Sequence, residues 1–76
     1  MDMRRLLGRN VRLCRVDAGL TQEQLSDRSG FSQQYISDME RGLRNPTIVS
    51  LYELADALGT TPVALITPDD EAAAEG

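Results

Sequence analysis

Between Ser32 and Glu40 the chain reads SQQYISDME, with two glutamines side by side and an aspartate four residues after the second. A primary amide carries a donor and an acceptor on one edge, the arrangement that pairs bidentately with N6 and N7 of adenine. Gln33 and Gln34 are therefore candidates for reading a base edge, with Ser37 as a secondary one. Asp38 can only accept while ionised, which suits cytosine N4 but sets it against any nearby phosphate. Tyr35 can give its hydroxyl to a phosphate or its ring edge to a thymine methyl, or it can pack its ring on the domain. Each of these residue types also fits a plain solvated helix face, so the types alone leave both readings open.

The elements that must position these groups are legible from caps and periodicity. Residues 4–18 read as a helix with Leu7, Val11 and Cys14 on one apolar stripe, stopped by Gly19. Thr21 and Gln24 form a capping box that opens a helix over residues 22–28, whose inward residue is Leu25. Ser26 is expected to bond back to the carbonyl of Gln22. Phe31 follows as a core plug, and Ser32 caps a third helix ending near Glu40, with Ile36 and Met39 inward and Gln33, Gln34, Ser37 and Asp38 outward. A loop from Gly42 to Pro46 leads to a fourth helix capped by Thr47 and stopped by Gly59. Thr61 and Pro62 open a short fifth helix through Ile66. No alternating run suggests a strand, so the fold class is all-α, five helices over residues 1–68 followed by a flexible acidic tail over residues 69–76.

Composition narrows the function classes. The 76 residues carry a net charge of -4, yet four of the acids, Asp69, Asp70, Glu71 and Glu75, fall in the tail, and residues 1–68 hold eight arginines against eight acids. Positive charge can thus be local. Arg4, Arg5 and Arg9 either form a phosphate-facing patch or only solvate the first helix. One cysteine and no histidine exclude a disulfide and give no metal-ligand set. Cys14 sits on the apolar stripe as a core residue. No nucleophile and base pair, no glycine-rich phosphate loop and no cofactor motif is present, so an enzyme is not expected. No apolar run reaches the length of a membrane span and no secretory signal opens the chain, so the expected setting is cytoplasmic.

Taken in order, LGRNVRLCR, AGLTQEQLS, GFSQQYISDMERG, RNPTIVSLYELADALG and TPVALI resemble the Cro and phage-repressor (XRE) class of helix-turn-helix proteins over residues 7–66. The run YISDMERGLRNPT is most similar to the small controller proteins of restriction-modification systems. The resemblance implies that the second and third helices form the helix-turn-helix and that the third enters the major groove of double-stranded DNA. It puts Gln33 and Gln34 at the principal base-contacting positions and Asp38 at a later one. It also implies that Gln22 clamps a phosphate at the start of the second helix, and that Arg41, Arg44 and Asn45 meet the DNA backbone in the loop after the third. Arg12 and Glu40 are expected from it to form a structural ion pair.

Base discrimination by such small domains usually comes from two half-sites, which implies a homodimer. Val49, Tyr52, Val63 and Ile66 exceed what one small core needs and are the candidate dimer surface. Leu13 and Val16 are also apolar, and the C-terminal segment is a candidate cover for them. A dimer over promoter elements would exclude RNA polymerase, whereas one just upstream would recruit it, and controller proteins are expected to do both. The acidic tail is expected to weaken non-specific DNA binding by repelling phosphates. The alternative from another class is a protein-interaction module, such as an antitoxin or repressor partner on the same scaffold.

Overall fold

A computed structural model describes residues 2–68, and the acidic segment at residues 69–76 lies outside the described residues. Five helices follow one another: α1 (Met3–Asp17), α2 (Gln22–Ser29), α3 (Gln33–Glu40), α4 (Ile48–Leu58) and α5 (Pro62–Ile66). Their starts are set by side-chain caps. Thr21 Oγ1 accepts from the Gln24 amide at 3.1 Å while the Gln24 side chain accepts from the Thr21 amide at 2.9 Å. Ser32, Thr47 and Thr61 each accept from the backbone three residues on. The first cap had no counterpart in the sequence reading: Asp2 accepts from the Arg4 amide at 3.0 Å, so α1 begins at Met3, a residue earlier than expected. An aspartate there also meets the positive end of the helix dipole.

The core gathers Leu7 and Val11 of α1, Leu25 of α2, Ile36 and Met39 of α3, Leu51, Leu54, Ala55 and Leu58 of α4, and Leu65 of α5. Cys14, Leu20, Phe31, Tyr35 and Ala57 pack on its margin. α1 lies against α3 and α5, while α2 lies against α3 and α4. Burying the large aliphatic side chains of this core at roughly 1.5 to 3 kcal/mol each is the main favourable term available to so short a chain.

Two contacts bring α1 down onto the end of α3. Gly8 is buried, and a Cβ there would meet the carbonyl oxygen of Met39 and lie 2.9 Å from that of Glu40. Only glycine permits that approach of helix to backbone. Gly42, at φ 77°, turns the chain after α3 in a left-handed conformation with Arg5 packed beside it. α1 is also tied to the far side of the domain. The buried Asn10 donates from Nδ2 to the carbonyls of Leu65 at 3.0 Å and Thr67 at 3.2 Å, so one amide satisfies carbonyls at the end of α5.

The buried ion pair is made by a different arginine from the one expected. Arg15, not Arg12, donates from Nε to Glu40 Oε2 at 2.8 Å and from Nη2 to Oε1 at 3.0 Å, and its Nη1 reaches the Leu20 carbonyl at 2.9 Å. The two side chains are only 13% and 5% exposed, so the pair is weakly screened and raises the Arg15 pKa further, chiefly through the hydrogen bond to Glu40. Helix phase explains the difference. At about 100° per residue, Arg15 lies roughly 80° around α1 from Leu7 and Arg12 roughly 140°. Arg12 is accordingly exposed.

Removing one partner of a buried pair leaves the other charge stranded. Arg15→Ala is expected to lower unfolding free energy by about 3 to 5 kcal/mol, and Arg12→Ala to stay within about 0.5 kcal/mol of the parent. Urea titration followed by circular dichroism checks both, and equal losses would overturn the assignment. Gly8→Ala is expected to cost about 1 to 3 kcal/mol by overpacking α1 on α3, read from the same midpoint. A neutral result would mean that the two helices need not approach so closely.

Candidate nucleic-acid interface

The turn between α2 and α3 is three residues long and stitched from both sides. Gly30 adopts φ 80° and its amide closes α2 onto the Ser26 carbonyl at 2.9 Å. The Ser26 hydroxyl donates forward to the Phe31 carbonyl rather than back to Gln22. The left-handed glycine folds Phe31 over the last turn of α2, which brings an otherwise unpaired carbonyl within reach. Ser29 Oγ completes the turn by accepting from the Phe31 amide at 3.2 Å. A small polar residue at position 26 thus locks the angle between the two helices.

On α3, Ile36 and Met39 are fully buried while Gln33 and Gln34 are exposed in the first turn. Ser37 is half-buried on the flank. Tyr35 resolves toward packing for its ring. It stacks on Phe31 with centroids 5.0 Å apart and planes 19° from parallel, and the Arg44 guanidinium lies over its face at 5.1 Å.

The groups expected to act separately are joined at one carboxylate. Asp38 Oδ1 accepts from Gln34 Nε2 at 2.8 Å and from Arg41 Nη2 at 2.8 Å, and Oδ2 accepts from Arg44 Nη2 at 3.3 Å. The hydrogen bond from Arg41, followed by that from Gln34, holds the carboxyl below the usual carboxylate range. The loop is fixed to the same turn, since the Leu43 amide donates to the Asp38 carbonyl at 2.9 Å and the Gly42 amide to that of Met39 at 3.0 Å. Asn45 is exposed beyond it. At the other end of the surface, Gln22 is half-buried at the start of α2 and donates to Glu40 Oε1 at 3.4 Å. Gln22, Arg15 and Glu40 therefore share one network across three helices.

Sequence reasoning missed Gly8, Asn10 and Arg15 as positioning residues. It also treated Gln34 and Asp38 as independent readers, although their spacing of four is the spacing of neighbours on a helix face. Arg4 lies exposed near Asp2, 3.8 Å away. Among the described residues no helix is long and apolar enough to cross a membrane, and no group of three or more histidine, cysteine, aspartate or glutamate side chains could hold a metal ion.

Comparison with known proteins agrees with this geometry. The helix-turn-helix family pattern matches residues 11–65. An uncharacterized HTH-type transcriptional regulator of Sinorhizobium fredii, y4dJ, is 61% identical over 71 residues, covering 93% of this chain and 92% of that one. Control protein C.SmaI of Serratia marcescens is 43% identical over 67 residues, covering 88% of this chain and 80% of its own. Among solved structures, the restriction-modification controller protein C.AhdI from Aeromonas hydrophila superposes with a TM-score of 0.78 at 37% identity, over 82% of this chain and 94% of that one. With its five-helix order, its paired α2 and α3 and a match over most of its length, the chain belongs to the helix-turn-helix family of the XRE type.

Proposed function

We propose that this chain is a transcriptional regulator that binds a specific sequence of double-stranded DNA as a homodimer on a palindromic operator, and that it controls a restriction-modification operon. The observation that carries the reading is the outward placement of Gln33 and Gln34 at the front of α3, backed by a fully buried Ile36 and Met39. In this reading α3 lies in the major groove, where the two amides and the Ser37 hydroxyl meet base edges. Gln22, Tyr35 through its hydroxyl, Arg41, Arg44 and Asn45 meet the flanking phosphates and fix the register. The names of C.SmaI and C.AhdI, a control protein and a restriction-modification controller, support the operon assignment.

Dimerisation through α4 and α5 is supported by exposed apolar groups. Val49, Tyr52 and Val63 are 62%, 62% and 68% exposed and Ile66 is 39% exposed, and with Ile48, 72% exposed at the start of α4, they concentrate exposed apolar surface on these two helices. Two copies paired there would present two α3 helices to half-sites about one helical turn, roughly 34 Å, apart. The position of the operator relative to the promoter would then decide whether RNA polymerase is excluded or recruited.

Selection from random duplex DNA at a stated salt concentration is expected to return a palindrome. Gln33→Ala and Gln34→Ala should each relax one base pair per half-site, with about 1 to 3 kcal/mol of discrimination lost per bidentate contact. If no sequence is preferred over any other, the regulator reading is wrong; if in addition replacing Gln33 and Gln34 together by alanine leaves binding to a protein partner intact, the scaffold serves protein interaction instead. In sedimentation at micromolar concentration the chain should run as a dimer and Val63→Asp as a monomer. A parent chain that stays monomeric even on its operator would remove the dimer.

A further inference from the structure

We propose that Asp38 is a positioning residue for base reading: its carboxylate holds the Gln34 amide in the orientation that reads adenine and holds Arg41 and Arg44 beside it, without itself touching a base. The inference rests on the regulator reading above and specifies how that site works. Its first support is the polarity of the contact. An ionised carboxylate has no proton to give, so the group facing Asp38 Oδ1 at 2.8 Å must be the amide nitrogen of Gln34, and Oε1 is turned away. One of the two N–H bonds is spent on Asp38. In the proposed arrangement the N–H spent on Asp38 is the one anti to Oε1, which leaves the other beside Oε1 as the donor and acceptor pair that matches adenine N7 and N6. A glutamine otherwise free to rotate is thereby ordered before it meets DNA, which spares the loss of rotamer freedom on binding.

The second support is how far the carboxylate is already engaged. Oδ1 already accepts from Gln34 and Arg41, and Oδ2 from Arg44. A cytosine amino group would have to share Oδ2 with Arg44 or compete with the two donors already on Oδ1. The third is charge. An aspartate one turn behind a base-reading amide would repel the DNA backbone, but with two guanidinium groups in contact the cluster carries a net positive charge. Arg44 is held from a second side by the Tyr35 ring beneath it, so the carboxylate and the aromatic face together aim one arginine along the edge of α3. Asp38 thus links the group that reads sequence to the groups that hold phosphate.

Selection from random duplex DNA with the parent chain, Gln34→Ala, Asp38→Ala, Asp38→Asn and the Gln34→Ala/Asp38→Ala double variant tests this. Circular dichroism confirms that each variant is folded. Asp38→Ala is expected to lower the adenine preference at the same base pair that Gln34→Ala relaxes, by about fivefold or more. The double variant should be no worse at that pair than Gln34→Ala alone. Asp38→Asn keeps a carbonyl acceptor for the Gln34 amide and is expected to retain most of the preference. The proposal is overturned if Asp38→Ala leaves that pair unchanged, if it relaxes a different pair, as a direct reader would, or if Asp38→Asn loses as much as Asp38→Ala. A parent chain that selects no sequence would instead sink the regulator reading, and this inference with it.

Discussion

The orientation of α3 on the body of the domain depends on the carboxylate of Glu40. It accepts two hydrogen bonds from Arg15 of α1 and one from Gln22 of α2, so three helices converge on the last residue of the helix that presents the glutamines. Beside it, Gly8 lets α1 touch the backbone of the same turn. Apolar packing of Ile36 and Met39 holds α3 against the core, but a hydrophobic contact is non-directional and does not by itself set the axial position of a helix. A bidentate, largely buried guanidinium pair does, because its geometry is specific. Buried pairs of this kind contribute little net stability relative to apolar substitutes. Their value here is geometric: a groove-reading helix must be held to within a fraction of a side chain, and Glu40 fixes one end while Ser32 and the Phe31 turn fix the other.

The second layer of the site is electrostatic and local. A net charge of -4 over the chain says little about the surface that meets a polyanion. Around α3 the arginines are not scattered. Arg41 and Arg44 are drawn to Asp38, and Arg15 is spent internally on Glu40. One acid on the outer face organises the cations that remain available, and one acid on the inner face organises the fold. The two differ in consequence because they differ in exposure, the inner pair being nearly closed to water and the outer cluster open to it.

Much of the architecture was legible in the sequence because caps and stops are local chemistry. Thr21 with Gln24, Ser32, Thr47 and Thr61 with Pro62 marked four helix starts, and Gly30 and Gly59 marked two ends, each through a rule that involves neighbours in the chain. The apolar stripes of α3 and α4 were legible for the same reason. What was not legible depended on side chains meeting across elements. Arg12 and Arg15 are one turn apart on α1, and only the rotation of α1 against α3 decides which one faces Glu40. Asn10 looked like an ordinary polar residue on a helix until its partners at the end of α5 were placed. Ser26 was assigned a local carbonyl because the competing one, on Phe31, becomes available only when the left-handed turn has formed. The Gln34 and Asp38 contact is the exception, since a spacing of four residues already makes the two side chains neighbours on one helix face.

The exposed apolar set on α4 and α5 bears on stability as well as on assembly. Domains of this length bury only about 60% of the surface their unfolded chains expose and stand close to the margin of folding. Val49, Tyr52 and Val63 do not join the core, although α4 supplies four buried residues to it. Apolar side chains left on the outer side of a helix cost solubility without adding to the fold of one copy. The arrangement makes physical sense if association supplies part of the free energy that a single small core lacks. Binding and folding would then be linked by mass action. Such a regulator would respond to its own concentration more steeply than a monomeric one, because occupancy of DNA and assembly of the dimer would draw on the same pool of folded chains.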